Sequence, residues 1–169
     1  MTALDKRKIC IERRKSISEG ERTKKEKAIM NRVLPFLKGK IGIYIPVNGE
    51  VDMYSRLKNH YDLYLPKTID ESHIAFYSDL EQKTYGKFHI FEPIGMNEIK
   101  DLDVILVPVV GFRNCARMGY GKGYYDRYLE HSNALKIGVA FDIQEIDFEI
   151  KKTDVMLDYM ITESRSIRL

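Results

Sequence analysis

The chain has 169 residues, of which 44% are hydrophobic and 31% are charged, with a net charge of +3. This balance is typical of one soluble domain with a core of its own, and it excludes low-complexity and fibrous classes. No apolar run approaches the roughly 20 residues that span a bilayer, and charges at residues 5–8 interrupt the stretch where a secretory signal would be apolar. We therefore expect a single domain over residues 1–169, located in the cytoplasm and without membrane contact.

Two helices are predicted at the N-terminal end of the chain. Residues 4–15 are rich in charge and read as helical. A second, amphipathic helix is predicted over residues 19–37, with Ser18 and Glu21 as a capping box and Gly39 as its stop signal. Its apolar positions recur at helical spacing: Ile29, Met30, Val33, Leu34 and Leu37.

Short apolar runs predict strands along the rest of the chain. Pro46 and Pro66 are expected to close the first two strands, while residues 79–100 are ambiguous. Shorter helices are expected near residues 51–60 and 123–131. The predicted strands cover residues 41–45, 61–65, 73–78, 104–110, 136–141 and 159–162. Strands that alternate with helices predict an α/β fold, a three-layer-type sandwich with a mainly parallel sheet flanked by helices.

The charge is unevenly distributed along the chain. Residues 1–40 hold 13 Lys or Arg against 5 Asp or Glu, and the other 129 residues hold 15 against 20. A basic N-terminal segment can bind nucleic acid, face a polyanionic small ligand, or simply form a solvated helical face. The two cysteines, Cys10 and Cys115, are expected to be free thiols, and the four histidines are too scattered to predict a metal site.

A glycine-rich run, Arg117–Asp126, follows the most apolar strand. Glycines at 119, 121 and 123 let the backbone approach a ligand, and successive N–H groups in such a loop can hold phosphate oxygens. Arg117 and Lys122 add positive charge, and a helix that begins near Gly123 would point its N-terminus at the same place. The run is neither a P-loop nor a dinucleotide fingerprint, and a flexible turn is the alternative interpretation.

With the apolar strand that precedes it, the run Arg117–Asp126 resembles the hallmark of the 5-formyltetrahydrofolate cyclo-ligases, also called methenyltetrahydrofolate synthetases. The resemblance extends in family order over nearly the whole chain. The further matching segments are Tyr44-Ile45-Pro46 followed by Glu50-Val51-Asp52, Leu65-Pro66-Lys67, Glu92-Pro93, Ala140-Phe141 with Gln144, and the acids Asp154 and Asp158.

The resemblance implies an enzyme that uses ATP and Mg²⁺ to close 5-formyltetrahydrofolate to 5,10-methenyltetrahydrofolate, with release of ADP and phosphate. The ATP-binding residues that it implies are Lys6, Arg7, Arg117, Met118, Gly119, Tyr120, Gly121, Lys122, Gly123, Tyr124 and Tyr125. The folate would contact Ile45, Glu50, Tyr120, Gly121, Lys122, Gly123 and Tyr124. Asp126 and Asp154 would bind magnesium, and Lys122, Arg117 and Tyr124 would act in the reaction itself. Phosphoryl transfer depends on positioning and charge neutralisation, which suits these residue types.

This chain departs from the family pattern at two places. Residues 112–117 lack the family's Asp after Phe112 and its Gly before Arg117, and the segment is one residue shorter. Ala3 occupies the position where the family has a Lys that contacts ATP, so we expect Lys6 to substitute for that Lys.

Two other functions stay open at the level of sequence. A basic RNA-binding protein would interleave aromatic residues with its charges, and residues 6–27 contain none. A non-catalytic nucleotide-binding regulator would not need both Asp126 and Asp154. We therefore expect an enzyme with small-molecule substrates, monomeric and without a nucleic-acid partner.

Overall fold

A computed structural model describes residues 1–169. The helices are α1 (Ala3–Lys15), α2 (Glu19–Val33), α3 (Tyr54–Leu57) and α4 (Tyr124–Glu130), with 3₁₀ turns at Leu34–Phe36, Lys87–His89 and Asp142–Gln144. The strands are β1 (Lys40–Gly42), β2 (Asp62–Thr68), β3 (Ile74–Ser78), β4 (Lys83–Tyr85), β5 (Phe91–Pro93), β6 (Glu98–Ile99), β7 (Val104–Pro108), β8 (Gly111–Arg113), β9 (Ala116–Met118), β10 (Leu135–Val139), β11 (Tyr159–Ile161) and β12 (Ser166–Arg168). None of the helices has the length and apolar character needed to cross a membrane.

Eight strands form one central sheet in the order β12-β11-β10-β7-β1-β2-β3-β6. The five inner strands, from β11 to β2, pair in parallel, whereas β12, β3 and β6 add antiparallel edges. The parallel arrangement places the carboxyl ends of β1, β2, β7 and β10 at one edge, where ligands of such sheets usually bind.

Both faces of the sheet are covered. On β7, Val104 and Leu106 pack on one face with Ile29 and Val33 of α2. Ile105 and Val107 point to the other face, which packs against α4. Because side chains alternate along a strand, a run buried on both faces reads as continuously apolar, as residues 104–110 do. The predicted α/β sandwich with a mainly parallel sheet is confirmed.

The first two helices begin as their sequences indicate. Thr2 and Asp5 form a capping box on α1, and the Ser18 hydroxyl accepts from the Glu21 backbone N–H at the start of α2. The predicted end at residue 37 is wrong, because α2 stops at Val33 and continues as a 3₁₀ turn that contains Pro35. Pro35 has no backbone N–H and cannot continue the helical hydrogen bonds, which explains the early end.

Three further predictions need correction. Pro66 does not close the second strand, since β2 runs to Thr68. Its neighbour β1 ends opposite Tyr64, so Pro66 lies where the missing N–H breaks no ladder with β1. The helix expected over residues 51–60 is a single turn, and the first predicted strand is shorter than residues 41–45, because the chain leaves the sheet after Gly42.

Two hairpins and the last strand were not predicted. β4 and β5 pair within the segment 79–100, β8 pairs with β9, and β12 closes the sheet beside β11. The turn between β8 and β9 consists of Asn114 and Cys115, with Asn114 at φ +53°. Asparagine tolerates this left-handed conformation, so a two-residue turn closes the segment that is one residue shorter than the family pattern.

Candidate active site

One cavity of about 900 Å³ opens at the carboxyl edge of the parallel strands. All of the residues predicted for ATP, folate and metal line it. They are Lys6, Arg7, Ile45, Glu50, the continuous run Arg117–Asp126, and Asp154. Residues separated by more than 100 positions in the sequence are therefore brought to one place by the fold.

The glycine loop, residues 119–123, follows β9 and forms one wall of the cavity. Gly121 and Gly123 have φ values of +95° and +74°, which explains why glycine is required there. A Cβ atom on Gly121 would lie 3.2 Å from the Arg7 guanidinium. Arg117 and Met118 belong to strand β9 rather than to the loop, and α4 has only seven residues, so a helix N-terminus adds less to this wall than the sequence suggested.

Arg7 joins the first helix to the glycine loop. Its Nε donates a hydrogen bond of 2.7 Å to the carbonyl oxygen of Gly119. Lys6 also lines the cavity, and its ammonium group makes no hydrogen bond or ion pair with the protein. The basic N-terminal helix thus presents part of its charge to the cavity rather than to open solvent.

Arg117 lies at the base of the cavity and is only 9% exposed. Its Nε donates to the Pro108 carbonyl oxygen at 2.6 Å, and its guanidinium carbon lies 5.1 Å from the centroid of the Tyr125 ring. Burial lowers the pKa of Arg117, and the nearby Asp126 opposes that shift. The terminal nitrogens of Arg117 have no acceptor and no ion-pair partner within the protein. They are therefore free to bind an anionic ligand.

Lys122 lies at the exposed tip of the glycine loop. Its ammonium group is free, while its carbonyl oxygen accepts two hydrogen bonds from Arg127, at 2.6 and 3.1 Å. Arg127 therefore holds the backbone of the loop, while the Lys122 ammonium group remains available to a ligand. The Tyr124 hydroxyl accepts a long hydrogen bond, 3.4 Å, from Lys87, which lies between β4 and β5.

Glu50 is a buried carboxylate on the opposite wall, 6% exposed. Its Oε1 accepts from the Val47 backbone N–H at 2.8 Å, and its Oε2 lies 3.3 Å from the Tyr120 hydroxyl. Burial raises the pKa of Glu50, although the Val47 N–H, Arg14 and Arg117 act in the opposite direction. Ile45, which lines the cavity close by, gives this wall an apolar surface.

The two predicted metal ligands come together although 28 residues separate them. The Asp126 Oδ1 accepts from the backbone N–H of Val155, the residue next to Asp154, at 3.1 Å. The Asp154 Oδ2 accepts from the Lys151 N–H at 2.8 Å. No group of three or more His, Cys, Asp or Glu is arranged to hold a metal ion. Two carboxylates still fit Mg²⁺, which commonly takes one or two carboxylates and completes its shell with phosphate and water.

Sequence reasoning missed two parts of the site. Arg14 is completely buried beneath the cavity. Its position in a charged helix gave no indication in the sequence that it would be buried. The β4–β5 hairpin adds Phe88, Ile90 and Phe91 to the cavity wall. Its segment carried no clear periodicity, and Phe88 and His89 adopt positive φ, which no glycine or asparagine signals at these positions.

Comparison with known proteins decides the family. A model of the 5-formyltetrahydrofolate cyclo-ligase family matches residues 4–163. The chain belongs to this family. A 5-formyltetrahydrofolate cyclo-ligase from Mycoplasma pneumoniae is 33% identical over 170 residues, which cover 93% of this chain and 96% of the relative. The same enzyme from Mycoplasma genitalium is 28% identical over 92% of this chain and 94% of its own length.

Solved structures of the cyclo-ligase family share the fold. A 5,10-methenyltetrahydrofolate synthetase from Aquifex aeolicus superimposes with a TM-score of 0.84 at 30% identity, over 99% of this chain and 93% of the other. The synthetase from M. pneumoniae gives a TM-score of 0.79 at 29% identity, over 96% and 99%. The family predicted from the glycine-rich run is therefore confirmed, and with it the class of enzyme, a ligase of folate metabolism.

Proposed function

We propose that this chain couples the cleavage of ATP to the ring closure of 5-formyltetrahydrofolate, giving 5,10-methenyltetrahydrofolate, ADP and phosphate. The observation that carries the proposal is the single cavity in which a glycine loop with free cations faces a buried carboxylate. The cationic wall suits the phosphates of a nucleotide, and the Glu50 wall suits the N–H groups of a folate. Family membership supplies the identity of both substrates.

The reaction explains why the site contains cations and no protein nucleophile. The formyl oxygen is a poor leaving group until it receives the γ-phosphoryl group of ATP, whose bond to the ADP oxygen breaks. The N10 nitrogen of the folate then attacks the formyl carbon and loses its proton. The carbon–oxygen bond breaks, and the former formyl oxygen leaves with phosphate. Such a sequence needs aligned substrates and neutralised charge.

We assign the ATP phosphates to the wall formed by α1 and the glycine loop. Arg7 and Lys6 approach from α1, and Lys122 approaches from the loop tip, with the N–H groups of residues 119–123 between them. Arg117 provides the buried cation, through terminal nitrogens that lack a protein acceptor. We place Lys122, Arg117 and Tyr124 closest to the transferred group, because all three line the cavity and none has its charged or hydroxyl group consumed by a strong internal partner.

We assign a magnesium ion to Asp126 and Asp154. The carboxylates share one edge of the cavity through the hydrogen bond of Asp126 to Val155. Bound there, Mg²⁺ would neutralise charge on the ATP phosphates. Each aspartate uses one oxygen in an internal hydrogen bond, which leaves the other oxygen available as a ligand.

We assign the folate to the wall that contains Ile45 and Glu50, beside Tyr120 of the glycine loop. When it is ionised, Glu50 accepts hydrogen bonds at both of its oxygens, and internal donors orient both of them. The β4–β5 hairpin contributes apolar side chains to the same cavity.

The position of α1 favours a nucleotide over a nucleic acid as the partner of the basic segment. Lys6 and Arg7 face the cavity, and Arg14 is buried, so these cations do not contribute to an outer basic surface. We accordingly propose a monomeric cytoplasmic enzyme whose partners are its two small-molecule substrates.

The activity is tested by mixing the protein with 5-formyltetrahydrofolate and magnesium-ATP and following the absorbance band of the methenyl product. The proposal expects a signal that requires all three additions. An Arg117→Met variant, which retains much of the side-chain volume but not the charge, should remain folded by circular dichroism and lose most of the rate. Product formation without ATP, or equal rates for both proteins, would contradict the proposal.

A further inference from the structure

Arg14 is a buried cation without an acidic partner. It is 0% exposed, and no carboxylate lies within ion-pair distance of it. Burying a charge is costly unless hydrogen bonds replace its water, and Arg14 has three such bonds. Its Nε donates to the Asn48 carbonyl oxygen at 2.7 Å, and its Nη1 donates to that of Val109 at 2.9 Å. The third, from Nη2, goes to the Tyr120 hydroxyl at 2.8 Å.

These three acceptors belong to three separate segments of the chain, two of which line the cavity. Asn48 lies in the loop that carries Glu50, Val109 follows β7, and Tyr120 lies in the glycine loop. Two of the bonds go to backbone carbonyl oxygens and tie the guanidinium group to the fold. The third bond reaches a side chain whose hydroxyl is also 3.3 Å from the Glu50 Oε2.

Arginine fixes the direction of the chain of hydrogen bonds. A guanidinium group only donates, so the Tyr120 oxygen must accept from Arg14. The Tyr120 proton then points away from Arg14 and is donated to the Glu50 carboxylate, the charged acceptor in reach. The Asn48 side chain is a further, neutral partner of the same hydroxyl. A neutral or rotatable partner in place of Arg14 would allow the hydroxyl to turn and present its oxygen to Glu50 instead, which would repel the carboxylate.

We propose that Arg14 is a positioning residue that orients the Tyr120 hydroxyl toward Glu50, and so holds Glu50 ionised and aimed at the folate. The inference rests on the proposed function for the identity of the ligand, but the hydrogen-bond chain itself exists without a ligand. Arg14 does not line the cavity and contacts neither substrate in this assignment.

Several charged or titratable groups face Glu50 and influence the pKa of its carboxyl group. Arg14 approaches from α1, Arg117 from β9 and Tyr120 from the glycine loop, and all three favour the ionised carboxylate. Tyr44, which follows β1, and Tyr125 of α4 lie near enough to interact with its charge. Removing Arg14 or the Tyr120 hydroxyl leaves these last two groups and Arg117 in place.

The test compares Arg14→Gln, Tyr120→Phe and the double variant, with Arg13→Gln as the matched control. Arg13 is the adjacent residue on α1, exposed and outside the cavity. The first measurement needs no substrate: the pKa of Glu50 is followed by NMR of carboxyl-labelled glutamate. We expect both single variants to raise this pKa, the double variant to add little beyond the larger single effect, and Arg13→Gln to leave it unchanged.

The second measurement separates folate from ATP. Loss of a hydrogen bond to a charged group corresponds to about tenfold or more in affinity, so both single variants should raise the KM for 5-formyltetrahydrofolate by about that factor. The KM for ATP should change by less than about twofold. If Arg14→Gln does not fold, Tyr120→Phe alone still carries both measurements, because it keeps the two carbonyl contacts of Arg14.

The proposal is overturned if Tyr120→Phe changes neither the Glu50 pKa nor the KM for folate. It is also overturned if Arg14→Gln raises both KM values in parallel with a fall in melting temperature, since that result describes a purely structural arginine. A wild-type protein that forms no methenyl product would instead contradict the proposed function, and the ligand-free pKa measurement would still decide the role of Arg14.

Discussion

The Nε of Arg7 lies 2.7 Å from the carbonyl oxygen of Gly119 and donates a hydrogen bond to it, although 112 residues separate the two in sequence. The contact fastens α1 to the glycine loop and leaves the terminal nitrogens of Arg7 beside Gly121. The geometry of the wall proposed for ATP therefore depends on a contact between residues far apart in the sequence.

Replacing Arg7 with alanine should weaken ATP binding selectively. We expect the KM for ATP to rise by about tenfold, the size of effect that follows from loss of a charge-assisted contact, with a much smaller change in the KM for folate. Lys8→Ala is the matched control, because Lys8 is the exposed neighbour on the same helix and lies outside the cavity. Initial rates with each substrate varied in turn provide the measurement.

The same variant discriminates the RNA-binding alternative. If the basic segment served nucleic acid, the wild-type protein would bind unrelated RNAs tightly at about 0.15 M salt, and Arg7→Ala would abolish that binding while catalysis survived. We expect neither result.

The glycine loop should not accept a side chain at residue 121. Gly121→Ala would place a Cβ 3.2 Å from the Arg7 guanidinium and hold a non-glycine residue at φ +95°. We expect a strong loss of ATP affinity, measured by calorimetric titration. Gly20→Ala is the control, since nothing lies within 4 Å of a Cβ at that helical position. It should leave binding unchanged and stabilise the protein by up to about 1 kcal/mol. Equal ATP affinity in the two variants would contradict the loop assignment.

Asp126 and Asp154 should affect the magnesium requirement together. Asp126→Asn and Asp154→Asn are each expected to lower kcat and to raise the free magnesium concentration that gives half the maximal rate. Because both would act on one ion, the double variant should be less damaged than the product of the single effects. If Asp126 only anchors Val155, its loss should cost about 0.5–2 kcal/mol of stability and leave the magnesium midpoint unchanged. Melting curves recorded beside the rates separate these outcomes.

Glu50 should determine the acid side of the pH profile. Its pKa is raised above the ordinary value of 4.5 by burial, and in the proposed function the ionised carboxylate binds the folate with both oxygens as acceptors. Activity should therefore fall, as the pH decreases, at a higher pH than an exposed glutamate would give. In Glu50→Gln, kcat/KM for folate should be low and lack this limb.

Stability provides the control for that variant. An acid whose pKa is raised on folding makes the native state less stable as the pH rises through the folded pKa. Replacing it with glutamine should thus maintain or increase the melting temperature at neutral pH. A parallel loss of stability and activity would mean that Glu50 acts through the fold alone.

The sequence predicts the central strand and the position of the site, but not the full extent of each strand. Residues 104–110 predict a central strand because burial on both faces makes them continuously apolar. The glycine-rich run marks the site because positive φ at Gly121 and Gly123 demands that residue. Pro66 misled the strand assignment, since whether a strand has a neighbour at that position is a tertiary fact.

Arg14 shows the corresponding limit for the site. Nothing in the sequence distinguishes it from Arg13, yet one of these neighbours is exposed and the other is fully buried beneath Tyr120. The direction in which a helical cation points depends on the packing of α1 against β8 and the Asp142–Gln144 turn, which a local pattern does not encode. Its three hydrogen bonds become visible only in the folded structure.

The most direct test of the account follows the formyl oxygen itself. The substrate is prepared with heavy oxygen in its formyl group, and the products of a single turnover with magnesium-ATP are examined by mass spectrometry and phosphorus NMR. We expect one labelled oxygen in each released phosphate, and one ADP and one methenyl product for each labelled phosphate. Phosphate without label, or ADP released without ring closure, would contradict the coupling of ATP cleavage to cyclisation in this cavity.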